Sequence, residues 1–262
     1  MNKKHQALDL GPKRKTRGNA EASTVLTLPD GTHVILPDAN GDAIGLQDSD
    51  ANGIAVAMNG RTAQIERYGV AYCPAGGTAK AGAGGAAISH YGGATAGDGA
   101  MAYTWGGVAS AYQWSAAYAR QGAAQMNNDG VAVMLLSGLA SVAEGGGVAC
   151  ALNFSLKLKP SPIGIPLPTM ETDPTAGAVS AGIGSVVVAF TLDKKKNRRP
   201  VVGFIGDKPD FLNNALNLEM ELLGCGVQFG LKPKIPYRLN AKTGRFEVIP
   251  KAKRKSAKWK RR

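Results

Sequence analysis

A short phrase, Gly-x-Ala-x-Ala, restarts thirteen times between Gly53 and Ala151, with seven to nine residues between successive restarts. This period is too short for a pair of packed helices, which needs at least about 20 residues, but it suits one strand and one corner of a coiling sheet. The period therefore predicts an all-β fold, a β-helix (β-solenoid) built from segments of roughly eight residues.

The segments place small side chains at regular positions. They begin at Gly53, Gly60, Gly69, Gly77, Gly85, Gly92, Gly99, Gly107, Ser115, Gly122, Gly130, Gly138 and Gly147. Because side chains alternate across a strand, we expect the third and fifth residues of each segment to face the core. Eleven of the thirteen third residues are alanine, the exceptions being Thr62 and Met101. If two segments form one coil, the array has about six coils, each of which adds ~4.8 Å to the length of the rod. If three segments form one coil, the rod is shorter.

An α-helical alternative has to be weighed, because alanine-rich runs such as residues 115–121 favour a helix when taken alone. A glycine at every eighth residue would cost roughly 1 kcal/mol each inside a helix. In a β-helix the same glycines lie at corners, where they adopt positive φ angles easily. The β-helix is therefore the favoured interpretation.

Composition divides the chain into six parts. These are a basic N-terminal arm (1–17), an N-terminal cap (18–52), the array (53–158), a proline-rich loop (159–176), a C-terminal solenoid end with a cap (177–250) and a basic tail (251–262). Turn residues at 29–31 and 240–244, each between two apolar runs, predict β-hairpins in the two caps. We also predict strands at 186–190 and 201–205 and a basic turn at 194–199. Residues 211–223 fit either a short helix or a strand.

Positive charge is concentrated at the two ends. The chain carries a net charge of +12, of which +5 lies in residues 1–17 and +8 in residues 251–262. Such ends are either solvated tails or binding sites for nucleic acid, neighbouring subunits or another anionic surface. The predicted anion- or partner-binding residues are Lys13, Arg14, Lys15, Lys251, Lys253, Arg254, Lys255, Lys258, Trp259, Lys260, Arg261 and Arg262. Binding through them would depend on salt but not on base sequence.

Aromatic residues are also clustered, since eight of the sixteen lie between residues 68 and 118. From this cluster we predict a ligand strip made of Tyr72, Tyr91, Tyr112, Trp114 and Tyr118. An exposed strip would suit glycan binding, whereas amphipathic aromatics are also frequent in subunit interfaces and in corner packing.

The sequence predicts no catalytic, metal-binding or cofactor-binding residues. Asp98 and Asp129 would lie about two coils, or ~10 Å, apart, which suits a carboxylate pair. Each precedes a corner glycine, however, where aspartate commonly bonds the turn backbone. We interpret His90 as a surface residue and Cys73 as a small core residue, and the three scattered cysteines predict no disulfide framework. With no signal-peptide pattern and no run of 18 apolar residues, we expect no membrane span and synthesis in a cytoplasm.

Three stretches together carry a family resemblance. The array is followed by Val201-Val-Gly-Phe-Ile-Gly-Asp, by Lys232-Pro-Lys-Ile-Pro-Tyr-Arg-Leu-Asn and by Gly244-Arg-Phe-Glu-Val. Over roughly residues 53–248 the chain resembles the Ala/Gly/Thr-rich β-helical repeat proteins of bacteriophages and prophages. Residues 208–230 depart from that pattern as an insertion, and the basic tail extends beyond it.

The resemblance implies a β-helix with a C-terminal strand and hairpin cap, and it implies no catalytic residues. We therefore expect a non-enzymatic structural protein of a phage-like virion, made in the host cytoplasm and present in many copies beside other virion subunits. Two alternatives remain open. One is a glycan- or receptor-binding tail adhesin, and the other is a nucleic-acid packaging protein.

Overall fold

The computed structural model of the chain describes residues 14–15, 24–45, 53–144, 146–152, 154–159, 167–172, 177–192, 198–206, 226–240 and 242–250. For residues 14–15, 154–159, 167–172, 191–192 and 198–199 it describes the backbone alone. All regular elements in these ranges are β-strands.

In chain order the strands are β1 (Arg14–Lys15), β2 (Thr24–Thr27), β3 (His33–Leu36), β4 (Ala43–Gly45), β5 (Ile54–Val56), β6 (Thr62–Ile65), β7 (Val70–Cys73), β8 (Thr78–Ala81), β9 (Ala86–Ser89), β10 (Gly93–Ala96), β11 (Met101–Ala111), β12 (Ala116–Met126), β13 (Val131–Val142), β14 (Val148–Ala151), β15 (Phe154–Lys159), β16 (Leu167–Thr172), β17 (Gly177–Ala181), β18 (Val186–Leu192), β19 (Arg198–Ile205), β20 (Gly226–Leu231), β21 (Tyr237–Asn240) and β22 (Arg245–Val248).

The predicted β-solenoid is confirmed, with about seven turns. Each coil adds one strand to each of two parallel ladders. Sheet one contains β3, β5, β7, β9, the first halves of β11, β12 and β13, and then β14 and β18. Sheet two contains β4, β6, β8, β10, the second halves of the same three long strands, and β17. Within the array, paired residues in sheet one are 15 to 17 positions apart, so two segments make one coil.

Alanine methyl groups fill the space between the two sheets. One inward column in each sheet is alanine throughout the array, and every member is at most 1% exposed: Ala55, Ala63, Ala71, Ala79, Ala87, Ala94, Ala102, Ala109, Ala117, Ala124, Ala132, Ala140 and Ala149. A side chain no larger than a methyl group lets the two sheets approach closely. The core is therefore narrow and continuous along the rod.

The predicted register was wrong for two of the thirteen segments. Gly60 and Gly99 have φ angles of 75° and 62° and belong to corners rather than to strand starts. Each strand consequently begins one residue later, so Ala63 and Ala102 face inward in place of Thr62 and Met101. The two apparent exceptions to the alanine rule disappear with this shift.

The corner that leads from sheet one to sheet two, which we call corner one, contains a column of five stacked glycines. Gly77, Gly92, Gly107, Gly122 and Gly138 follow one another there in successive coils. A Cβ on any of the last four would overlap the carbonyl oxygen of the glycine one coil before it. This column therefore excludes every side chain by direct contact with backbone.

Ser115, at the return corner that we call corner two, replaces the repeat's glycine for a specific reason. Its buried hydroxyl accepts a hydrogen bond from the Ala100 N–H (3.1 Å) and lies 2.8 Å from the Gly97 carbonyl and 2.9 Å from the Gln113 carbonyl. The hydroxyl thereby satisfies the Ala100 N–H and the Gly97 carbonyl, whereas the Gln113 carbonyl also accepts a hydrogen bond from the Gly99 N–H.

Antiparallel strands end the solenoid on both sides, as predicted. β2 and β3 form the N-terminal hairpin, β21 and β22 form the C-terminal one, and β1 adds a two-residue edge strand to β2. The predicted strands at 186–190 and 201–205 are confirmed as parts of β18 and β19, which pair antiparallel. Arg198 and Arg199, which we expected in a basic turn, instead extend β19 because the ladder with β18 continues to Leu192.

The segment boundaries differ from the predicted ones at three places. The solenoid begins inside the predicted cap, since β3 and β4 already occupy the two sheets. It is interrupted after β14 by a separate antiparallel pair, β15 and β16. The predicted proline-rich loop 159–176 thus contains a strand, and a two-stranded sheet tolerates Pro168 because each strand keeps one unpaired edge. The alternatives for residues 211–223 lie outside the described residues.

Candidate functional site

The outer side of sheet one carries three columns of outward-facing side chains on the eight strands β5, β7, β9, β11, β12, β13, β14 and β18. We call this surface the apolar face. The columns are Ile54, Val70, Ala86, Met101, Ala116, Val131, Val148 and Val186; Val56, Tyr72, Ile88, Tyr103, Tyr118, Val133, Cys150 and Val188; and Met58, Pro74, His90, Trp105, Arg120, Leu135, Leu152 and Phe190.

The composition of the apolar face is unusual for a sheet exterior. Three positions on eight strands give 24 side chains, of which only His90 and Arg120 are basic or charged. Ile54, Met101 and Val131 are 37%, 43% and 41% exposed, so solvent reaches the face between β5 and β13. With ~4.8 Å per strand and ~3.3 Å per residue, the face measures roughly 38 by 17 Å, or about 650 Å². Monomeric soluble proteins rarely expose apolar patches beyond a few hundred Å².

Sheet two provides the contrast. Its middle outward column is polar from β6 to β17: Gln64, Lys80, Thr95, Ser110, Gln125, Ser141 and Ser180. Both sheets share the same coils and the same alanine core, so the backbone does not impose this difference. The sequence therefore distinguishes one outer side of the solenoid from the other.

Ring contacts hold the centre of the apolar face in a defined arrangement. Tyr103 and Tyr118 stack with ring centroids 5.1 Å apart and planes 4° from parallel. His90 lies between two other rings, 5.8 Å from Tyr72 and 5.7 Å from Trp105. The guanidinium carbon of Arg120 lies 4.0 Å from the centre of the Trp105 ring, a favourable cation–π geometry. His90, which we interpreted as an isolated surface residue, is thus part of this packed row.

Burial of the Tyr118 side chain raises its pKa, and the neighbouring Tyr103 acts in the same direction. The Tyr118 phenol is therefore uncharged at neutral pH, which adds no charge to the centre of the apolar face.

The structure divides the predicted ligand strip among three places. Tyr72 and Tyr118 share the middle column of the apolar face. Tyr91 lies at corner one, is 68% exposed and covers Gly106 of the next coil. Tyr112 and Trp114 lie at corner two, on the other edge of the solenoid, and are 51% and 70% exposed.

A shallow groove of about 440 Å³ lies on sheet two beside corner two. It is lined by Thr95, Ser110, Tyr112, Gln125, Asn127 and Ser141, among others. We call it the polar groove. Its lining combines hydroxyl and amide groups with the side chain of Tyr112 and with Ala111, Met126 and Ala143, so it offers hydrogen bonds beside one aromatic surface.

The two aspartates that we weighed as a carboxylate pair bond the turn backbone instead. Asp98 accepts a hydrogen bond from the Gln113 N–H at 3.2 Å, and Asp129 accepts one from the Gly146 N–H at 3.3 Å. Each donor belongs to the next coil. The structural interpretation of these aspartates is therefore confirmed.

Two of the three cysteines are described, and both are free thiols. Cys73 is fully buried in the core, as predicted, and its thiol donates to the Arg61 carbonyl at 3.4 Å. Burial raises the pKa of Cys73, and it raises the pKa of Cys150 on the apolar face to about 11. Both thiols are consequently poor nucleophiles at neutral pH.

Most of the predicted anion-binding residues, Lys13 and Lys251 to Arg262, lie outside the described residues. Arg14 and Lys15 form β1, and their backbones pair with Val25 and Thr24. In the described ranges no three His, Cys, Asp or Glu side chains are grouped closely enough to hold a metal ion. Those ranges also contain no helix with the length and hydropathy needed to cross a bilayer.

The apolar face was missed in the sequence because the segments were aligned as one series. Alternate segments belong to different sheets, so the outward residues of odd and even segments must be compared separately. The odd series then gives Val56, Tyr72, Ile88, Tyr103 and Tyr118, whereas the even series gives hydroxyl, amide and lysine residues.

The fold and its surfaces define a class of protein: a β-solenoid with two strands per coil, with an apolar outer side on sheet one and a polar middle column on the outer side of sheet two. No family model, curated protein or solved structure matches the chain.

Proposed function

We propose that the protein is a non-enzymatic structural rod of a phage-like particle, incorporated beside other subunits through the apolar face. The observation that carries this proposal is the composition of that face, in which 22 of 24 outward side chains are neither basic nor charged. Large apolar patches of this kind mark protein contact surfaces. The resemblance of the array and its ending to phage β-helical repeat proteins supports the particle as the setting.

The architecture suits a rod of defined length. Parallel ladders run the length of the solenoid, and antiparallel strands replace them at both ends. The N-terminal edge strand β1 has only two residues, which leaves little unpaired backbone for another chain to extend. Extension of the β-structure beyond β1 is thus disfavoured, while the apolar face promotes side-by-side contacts.

Mass spectrometry of purified particles tests this function directly. We expect the protein to be present in a fixed copy number per particle. Incorporation should fall when Tyr103 is replaced by Lys on the apolar face, but not when Ser110 of the same strand is replaced by Lys. Absence of the protein from particles would overturn the proposal.

A second candidate function is glycan or receptor binding by a tail component. The polar groove favours it, because Tyr112 lies beside hydroxyl and amide groups that can bond sugar hydroxyls. Adsorption to host cells is the relevant measurement. A third candidate is nucleic-acid binding through residues 251–262, which carry a charge of +8.

A further inference from the structure

We propose that a second copy of this chain covers the apolar face, so that the protein is a homo-oligomer held together by sheet one. This inference rests on the proposed structural function and names the partner that the apolar face binds first. Three features of the face support it: its area, its lack of unpaired charge and its repeat geometry.

The area of the apolar face is close to what a stable homodimer requires. About 650 Å² on each of two copies would bury roughly 1,300 Å² in total, within the range of specific protein interfaces, about 1,200–2,000 Å². Homodimer interfaces are also more apolar than other contact surfaces. The apolar face agrees with both properties, and the polar middle column of sheet two does not.

The absence of unpaired charge makes the apolar face compatible with itself. A symmetric contact brings the same patch of both copies together, so any charge in its centre would oppose a like charge. The centre is formed by the Tyr103–Tyr118 stack and by Ile88 and Val133. The one permanently charged group, Arg120, lies in the outer column beside corner one, where its guanidinium covers the ring of Trp105.

Repeat geometry favours a copy over an unrelated protein. Sheets pack face to face about 10 Å apart, with their strands within about 30° of alignment. Another copy offers a sheet with identical strand spacing and twist along all eight strands. The middle column combines large residues such as Tyr72 with smaller ones such as Val56 and Val133, and these can interdigitate with the same column of a second copy.

Sedimentation equilibrium or light scattering on the purified full-length chain tests this proposal without particles or other proteins. We expect a mass of at least twice 27.1 kDa at micromolar concentration. Tyr103→Lys and Val133→Lys should each weaken self-association by 100-fold or more, because every contact would gain two opposed, buried charges.

The matched controls lie on the same strands. Ser110→Lys on β11 and Ser141→Lys on β13 add the same charge to the outer side of sheet two and should leave the mass unchanged. Circular dichroism checks that each variant keeps its β-structure. The wild-type mass decides the question even if a lysine variant does not fold.

A wild-type chain that stays monomeric up to about 100 µM would overturn the inference, since the dissociation constant would then exceed that of a specific interface of this size. Equal dissociation of Tyr103→Lys and Ser110→Lys would also overturn it. The outcome is separable from that of the proposed function. A monomeric protein that is still incorporated into particles would overturn only the homo-oligomer inference. A dimeric protein that is absent from particles would overturn only the proposed role in the particle.

Discussion

The ring of Tyr103 lies flat against the ring of Tyr118, 5.1 Å away in the next coil. The two residues are 15 positions apart in sequence and directly paired in sheet one. Stacked aromatic pairs of this kind contribute about 0.5–1.5 kcal/mol beyond their buried area. This contact exists because every second segment returns to the same sheet, and the same return assembles the entire apolar face.

Replacing a glycine of corner one should destabilise the solenoid strongly. In Gly122→Ala the new methyl group overlaps the Gly107 carbonyl, and the φ angle of 105° is itself unfavourable for alanine. We expect a loss of about 2–4 kcal/mol in the free energy of unfolding, measured by urea denaturation.

Gly99→Ala, at corner two, is the control for this variant. Gly99 also has a positive φ angle, 62°, but nothing lies within 4 Å of the position that its Cβ would take. This variant should lose only about 1–2 kcal/mol, the cost of the backbone conformation. Equal losses in the two variants would show that crowding by the neighbouring coil is unimportant.

Enlarging a side chain of the alanine core should destabilise the fold, whereas enlarging the neighbouring outward side chain should not. Ala124 on β12 is fully buried between the sheets, whereas Ala123 beside it faces outward. Ala124→Leu should lower the unfolding free energy by about 1–3 kcal/mol because the sheets must separate to admit it. Ala123→Leu should change it by less than about 0.5 kcal/mol. Thermal unfolding of both variants checks this, and a tolerant Ala124 would contradict the narrow core.

Cys73 and Cys150 should react slowly with thiol reagents in the folded protein. The pKa of Cys150 is raised to about 11, so little thiolate exists at pH 8, and Cys73 is inaccessible. In a Cys225→Ser background we expect two thiols that react rapidly only in denaturant. Fast labelling of the native chain at pH 8 would contradict the burial of Cys73 or the raised pKa of Cys150.

The same shift gives a pH dependence of stability. The folded state holds the Cys150 proton more tightly than the unfolded state, whose thiol has a pKa near 9.0. The contribution of the protonated Cys150 thiol to the free energy of unfolding is therefore complete below pH 9 and is lost as the pH rises toward 11. Cys150→Ala should flatten this part of the stability profile, and an unchanged profile would assign the alkaline loss to other groups.

The polar groove can be tested independently of assembly. Tyr112→Ala removes its aromatic surface, and we expect weaker adsorption to host cells with unchanged particle composition if the groove binds a glycan. Trp114→Ala serves as a neighbouring control at the same corner, because its exposed side chain does not line the groove. Unaltered adsorption in the Tyr112 variant would reject the adhesin hypothesis for this site.

Deleting residues 251–262 tests the basic tail. Removal of its eight lysine and arginine residues should abolish retention of DNA at low salt and reduce the salt dependence of binding. Trp259→Ala, with all charges kept, separates stacking from electrostatic attraction. Retention by the truncated chain would show that the tail does not bind nucleic acid.

Much of the local structure was predictable from the residues. The turn at 29–31 and the strands on either side specified the first hairpin, and the alanine period specified the inward column. The register at Thr62 and Met101 was not predictable, because one extra corner residue shifts a strand without altering the visible repeat. The strand β16 was missed because prolines argue against strands except where an edge is free.

The sequence alone determined the cross-section of this protein: glycine where backbones meet at corner one, alanine where the sheets face each other, and turn residues where the caps close. The glycines and alanines recur from segment to segment at the same position, so a linear pattern displays them. Only the tertiary structure decided that alternate segments share a sheet, and hence that the aromatic and branched side chains of the odd segments form one apolar face. The physical reason is that strand pairing joins residues 15 to 17 positions apart, and the number of corners per coil decides which residues meet.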